Sequence, residues 1–326
     1  FLPDGSRVPF ASAPASAAAP AALERLKEGY AQHSLAHHES KEVTRQSHGV
    51  IWGSETDGIV GTHSAPFHRI LTLASLTVSV VDLGLVQVSL LESLVGSWNA
   101  VMLHNRRFLC LIDLCYDVIG RFASSDVVEL SLRMKQELTT IALLAPFIFT
   151  DMRSLVSTEL FTVDASSKKI AVCSTVIPYG AARELARFTL RKGRWCRLLS
   201  PAQRWLKERG LLDPEEELPD GKSDSDGYPA VWEQLVSSLQ FELVCVESTT
   251  AGEHINLSEL RSYARAEEAA ARHHGKCRPL IGSDSQVSLA CTAKGRSASP
   301  ILNKQLSTML PTVIGSRLHS KGFWLP

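Results

Sequence analysis

His254-Ile-Asn-Leu-Ser-Glu-Leu260 opens a helical run that continues to His273. Leu280-Ile-Gly-Ser-Asp-Ser-Gln-Val287 and Ala293-Lys-Gly-Arg-Ser-Ala-Ser-Pro-Ile-Leu-Asn-Lys-Gln-Leu306 follow it. The spacing predicts a helix over Ser258–His273, a strand over Arg278–Ser283, a helix over Gln286–Thr292, and a helix begun by Ser299 as cap and Pro300 at its first position. Two acids fall at defined places in this pattern. Glu259 lies one turn into the first helix, after Asn256 or Ser258 as cap. Asp284 ends an apolar strand. Upstream, Leu160-Phe-Thr-Val-Asp-Ala-Ser166 places a third acid, Asp164, at the end of another short strand.

Three carboxylates delivered by two strand ends and a helix can converge on one point. Oxygen ligands of this kind suit Mg2+ or Mn2+. Hydrolysis of a phosphodiester by two metals needs several carboxylates around ions about 4 Å apart. Rigid strand ends fix such geometry better than loops do. Each acid also has an ordinary reading. Glu259 fits the N3 carboxylate of a capping box, Asp284 the cap of the next helix, and Asp164-Ala-Ser a turn.

A length of 326 residues suggests about two domains. With 44% hydrophobic and 21% charged residues, most of the chain can bury a core, which excludes global disorder. Lys+Arg and Asp+Glu both total 34, so net charge carries no nucleic-acid signal, but the distribution is uneven. Ala186–Gly210 holds eight Lys/Arg against Glu208 alone, Asp213–Asp226 seven acids against one Lys, and Lys276–Pro326 seven Lys/Arg against Asp284 alone. Each run also reads as a solvated face.

The seven cysteines include no Cys-x-x-Cys pair, so neither a zinc ribbon nor a disulfide framework is expected. His273, His274 and Cys277 lack a fourth zinc ligand. Reduced cysteines and the lack of a basic, apolar leader point to an intracellular protein of cytoplasm or nucleus. Leu71–Val95 is apolar but interrupted by Asp82 and Glu92, so it reads as buried helices; no membrane partner is expected. No Walker loop, Gly-x-Gly-x-x-Gly or Gly-x-Ser-x-Gly occurs.

Before residue 158 the pattern is mainly helical. A helix over Ala21–His33 and a short strand at Gly49–Gly53 precede a helix starting at Ala65, and two or three helices run on to Ile119 with Gly84 and Gly96 as breaks. A further helix over Ser125–Leu144 has Ser124 or Ser125 as cap. After Thr158 strands dominate: Phe161–Asp164, Ile170–Ile177 with a turn at Lys168-Lys169, a third at Leu190–Leu199, Phe241–Val246 and Lys321–Leu325. Leu211–Tyr228 reads as an acidic surface insertion. Phe188, Trp195 and Trp205 alternate with basic residues, a composition that stacks bases and meets phosphates; Arg194 and Trp195 are the candidates there. Lys294, Arg296 and Lys304 are further candidates for phosphate contact, with a helix C-cap at Gly295 the ordinary reading of the first two.

Four short motifs in order resemble the ribonuclease H domain of retrotransposon reverse transcriptases, most closely the tyrosine-recombinase retroelement type. Thr162-Val-Asp164-Ala-Ser166 is similar to the family's Thr-Asp-Ala-Ser strand. His254-Ile-Asn256 with Glu259-Leu260 is similar to its His-Ile-Asn-x-x-Glu-Leu helix opening. Ser283-Asp284-Ser285 and Ser297–Leu306 resemble its later strand end and helix. Upstream, Val50–Gly58, Leu94–Trp98 and Arg106–Phe108 resemble segments after the polymerase palm, and Phe1–Gly5 a palm remnant.

The resemblance implies an α/β fold: a ribonuclease H-like mixed sheet flanked by helices over residues 158–326, with an insertion at about 200–230, preceded by a palm remnant and helical thumb/connection region over residues 1–157. It implies a hydrolase cleaving RNA in RNA–DNA hybrids, with Mg2+ or Mn2+ held by Asp164, Glu259 and Asp284. Departures are plain. Ninety-five positions separate Asp164 from Glu259, a long interval for this fold. The fourth carboxylate expected after the last strand is missing before Pro326, and the polymerase site is not present. A weakly active or inactive fragment or decayed copy is therefore expected. The alternatives are a non-catalytic nucleic-acid-binding remnant and a helical interaction scaffold.

Overall fold

A computed structural model describes residues 18–35, 46–187, 189, 230–250 and 252–325. After helix α1 (Ala18–Gln32), short strands β1 (His48–Ile51), β2 (Ser54–Asp57) and β3 (Thr62–Ser64) form an antiparallel meander, which β6 (Phe149–Asp151) extends beside β3. Between β3 and β6 lie α2 (Phe67–Leu83), β4 (Leu85–Gln87), α3 (Val88–Met102), a 3-10 segment (Arg106–Leu111), α4 (Asp113–Arg121), β5 (Val127–Glu129) and α5 (Leu132–Leu144).

These helices close on Trp98, Met102, Phe108, Leu138 and Ile141, all fully buried. The indole of Trp98 donates to Thr77 Oγ1 at 2.9 Å, which satisfies the one polar atom that burying this ring would strand. Gly84 ends α2 in the left-handed conformation, as its role as a break requires. Gly96 breaks nothing: it sits within α3 on an exposed face, where nothing crowds it. The helix expected over Ser125–Leu144 starts later. Val127 and Val128 pair with Gln87 and Val86 as strands, and the cap is Ser131, whose Oγ accepts from the Met134 amide at 3.3 Å. β-branched residues that find an antiparallel partner override a helical spacing.

The second half is built on one sheet. β7 (Leu155–Ala165) is its central strand, with β8 (Lys169–Val176) antiparallel on one side and β9 (Glu242–Ser248) beyond it, also antiparallel. On the other side β10 (Cys277–Ser283) runs parallel to β7, and β11 (Lys321–Trp324) parallel to β10. The order is β11-β10-β7-β8-β9. The expected strand at Leu190–Leu199 and the insertion at about 200–230 lie outside the described residues, apart from Ala230; the third antiparallel strand is β9.

Helix α8 (Ile255–His273) lies on one face against β7 and β8, burying Leu260, Tyr263 and four alanines; the small residues let the axis approach the sheet. Helix α6 (Tyr179–Arg187) covers Leu160, Leu280 and Phe323 on another cluster. Helices α7 (Ala230–Ser238), α9 (Gln286–Lys294) and α10 (Pro300–Gly315) complete the order. Six of the seven residues of β10 are buried, as a parallel strand covered on both faces must be. A Cβ at Gly282 would lie 2.7 Å from Phe323 and Leu325, so this strand needs glycine there to let β11 close.

The two halves are joined by polar contacts as well as packing. Arg107 pairs with Glu267 of α8 at 3.0 Å, and the Asn303 amide donates to the Cys110 carbonyl at 2.8 Å. Gly295, which caps α9 with φ +72°, presses on the Arg106 backbone so closely that a Cβ would overlap its carbonyl.

Candidate metal centre

The parallel register of β7 and β10 pairs Val163 with Ser283. The residue after each is an acid, Asp164 still in β7 and Asp284 just past the end of β10, so the two stand side by side about one strand spacing (~4.8 Å) apart. Helix α8 supplies Glu259 in its second turn. One oxygen from each of Asp164, Glu259 and Asp284 lies within 4.8 Å of the other two. Glu259 is buried while the two aspartates are exposed, giving a cluster with a closed floor and an open mouth.

The local structure that holds each acid differs from its ordinary reading. Glu259 is not a capping-box carboxylate. The cap is His254, whose Nδ1 accepts from the Asn256 amide at 3.2 Å, and Glu259 is the fifth helical residue. The acid that ties down this helix start is Glu253, which accepts from Ser258 Oγ at 3.2 Å and pairs with Arg261 at 2.7 Å. Asp284 does not cap α9 either; Ser285 does, accepting from the Ser288 amide at 3.3 Å. Asp164 lies within the ladder, opposite Ala171, and the turn follows it at Ser166. All three acids are thus free of the duties that explain such residues elsewhere.

The strand end carrying Asp284 is fixed by neighbours that sequence reasoning missed. The Trp324 indole donates to the Asp284 carbonyl at 3.1 Å, and Ser283 Oγ accepts from the Ser285 amide at 3.1 Å. A tryptophan in the last strand was the only signal available for the first contact.

Burial pushes the Glu259 carboxyl up to about 7; the charges of Asp284 and Asp164 add to this, and a hydrogen bond from the Ala165 amide opposes it. Its Oε2 is buried with no hydrogen-bond partner. An orphaned buried carboxylate oxygen facing two further carboxylates is an arrangement that a divalent cation with hard oxygen preferences would satisfy. The residues present fit such an ion.

No family profile matches the sequence, and no curated protein matches it either. Solved structures do. A foamy viral protease–reverse transcriptase in complex with double-stranded DNA aligns over 97% of this chain and 44% of its own, at 11% identity and a TM-score of 0.37. A foamy viral protease–reverse transcriptase in complex with an RNA/DNA hybrid aligns over 96% and 54%, at 11% identity and a TM-score of 0.33. The chain spans about half the length of these structures.

The other candidate residues are dispersed. Arg194 and Trp195 lie outside the described residues. Lys294 is the exposed last residue of α9, about 12 Å of helix rise from its start beside Asp284. Arg296 stacks its guanidinium over the Tyr116 ring at 5.6 Å, and Lys304 is exposed on α10. His273 and His274 face the Glu159 carboxylate, at 3.1 and 3.8 Å, while Cys277 Sγ donates to the His274 carbonyl; this group does not converge as metal ligands do. Among the described residues no helix is long and apolar enough to cross a membrane.

Proposed function

We propose that this chain is the C-terminal part of a reverse transcriptase of the tyrosine-recombinase retrotransposon type. Its ribonuclease H-like domain, residues 158–326, would follow a palm remnant and thumb/connection region, residues 1–157, and hydrolyse the RNA strand of RNA–DNA hybrids. The observation that carries this reading is the meeting of Asp164, Glu259 and Asp284 within 4.8 Å. The sheet supports it: three antiparallel strands, then two parallel ones, with acids from the first strand, the following long helix and the fourth strand. This is the arrangement that the motif resemblance leads one to expect.

Asp164, Glu259 and Asp284 would hold Mg2+ or Mn2+. Such an ion supplies Lewis-acid activation of the phosphodiester and of the attacking water. The chain's own part is to fix the carboxylates in place before substrate arrives. Trp324 and the Ala165 amide hold two of the three positions. Glu259 must be deprotonated to act as a ligand, so cation affinity falls as pH drops below about 7.

The test is cleavage of a hybrid labelled in its RNA strand, with Mn2+ or Mg2+, by the native chain and by Asp284→Asn. Slow metal-dependent cutting of RNA alone, lost in the variant, is the expected result. Salt-sensitive hybrid binding without cutting would replace the reading with a non-catalytic binding remnant. No binding at low salt would leave a helical scaffold.

A further inference from the structure

A cavity of about 350 Å3 separates the 3-10 segment of the first half from α8 and the start of β11. Three arginines (Arg106, Arg107 and Arg278), Lys321 and His319 line it, and no carboxylate does. Arg106 Nη1 and Arg107 Nε and Nη1 are buried yet make no hydrogen bond. Two acids reach its edges. Glu267 engages the far nitrogen of Arg107, Nη2, at 3.0 Å. Asp151 reaches the His319 side, where its amide donates to His319 Nε2 at 3.3 Å.

Buried guanidinium groups are normally forked onto acceptors, because a desolvated cation with idle N–H groups is costly. The partnerless nitrogens of Arg106 and Arg107 give this cavity idle cationic donors. The neutral lining, including Asn105, Thr150 and Ser320, adds groups able to donate to oxygen. The space admits a small ligand and excludes a folded partner.

We propose that this cavity is a binding site for a small phosphoryl anion, a pyrophosphate-sized dianion or trianion, seated on Arg106 and Arg107 between the two halves. The site is separate from the carboxylate cluster: it takes the opposite charge and needs no metal. The environment of His319 agrees. Burial, reinforced by the charges of Arg278 and Lys321, pushes its imidazole down to about 4, against the opposing pull of Asp151. An anion in the cavity would reverse the positive field there.

The phosphoryl group has two sources, a free anion or the backbone of a bound nucleic acid. The experiment titrates inorganic pyrophosphate into the full chain in EDTA, following thermal unfolding and the His319 imidazole by NMR. A dose-dependent rise in Tm is expected, together with a rise of the His319 pKa. Arg106→Gln and Lys321→Gln should keep the unliganded Tm and weaken pyrophosphate about tenfold. An RNA–DNA hybrid that displaces pyrophosphate identifies a backbone phosphate as the occupant; one that leaves it bound identifies a free anion. No Tm shift at millimolar pyrophosphate would overturn the assignment. So would an Arg106→Gln chain that binds as tightly as the native one. Because no metal is present, these outcomes are independent of whether the carboxylate cluster cleaves RNA.

Discussion

Replacing Glu259 by Gln should stabilise this protein at pH 8 in the absence of metal, although Glu259 is buried and central to the site. The folded chain holds this carboxyl at about 7, against an ordinary value of 4.5. Folding therefore favours its protonated form. As pH rises from about 4.5 to 7 the unfolded chain releases the proton first, so stability falls through that window, and the loss is complete above it. At about 1.4 kcal/mol per pH unit, the ceiling on this loss is about 3 kcal/mol. Glutamine keeps the size and can still accept from Ala165, but it carries no charge. Urea unfolding in EDTA should find Glu259→Gln more stable than the native chain by about 1–3 kcal/mol at pH 8 and within about 0.5 kcal/mol at pH 4.5. Glu137, half-buried and likewise raised to about 7, titrates equally in both chains and cancels in the difference. Millimolar Mg2+ should raise the stability of the native chain at pH 8 and leave the variant nearly unchanged, since the ion would replace the repulsion with ligation. A variant less stable than the native chain at pH 8, or a difference that ignores pH, would refute the electrostatic account of the cluster.

Arg107→Ala should cost about 3–5 kcal/mol in urea unfolding, because it leaves Glu267 buried and unpaired; adding Glu267→Leu should recover part of the loss. Gly295→Ala should cost more than about 2 kcal/mol, or shift the packing of the two halves, since its Cβ would overlap the Arg106 carbonyl and its φ is +72°. Ser131→Ala should lower stability by about 1 kcal/mol through loss of the α5 cap, with Ser125→Ala changing little; equal effects would return the helix start to Ser125. Mg2+ affinity by calorimetry should weaken from pH 8 to pH 6, with proton uptake by the buffer on binding at pH 6; an affinity independent of pH would exclude Glu259 from the ligand set.

Local signals in the sequence located most elements of the second half. Ser299-Pro300 and Gly295 mark a helix start and a helix end where the backbone has them, and the apolar runs at Leu160–Val163 and Pro279–Ser283 lie in β7 and β10. They mark ends well because capping and φ preferences act within a few residues. The same locality explains the misses. Val127 and Val128 became a strand because Val86 and Gln87, some forty positions earlier, offered a partner. Likewise Asn256 and Ser258 were the cap candidates before Glu259, since helical spacing alone does not reveal that His254 holds the cap.

What the amino-acid order determined by itself was therefore the kind of side chain at each place: an acid after each of two apolar strands, an acid on a helix, and arginines at 106 and 107. What only the tertiary structure decided was which of these meet. The register of β7 on β10 brings Asp164 to Asp284 across 120 positions, and the seating of α8 turns Glu259 toward both. The packing of the two halves likewise buries Arg107 against Glu267, which is 160 positions away. Such meetings depend on strand register and on the burial of whole faces, which are properties of the assembled core and not of any window of sequence.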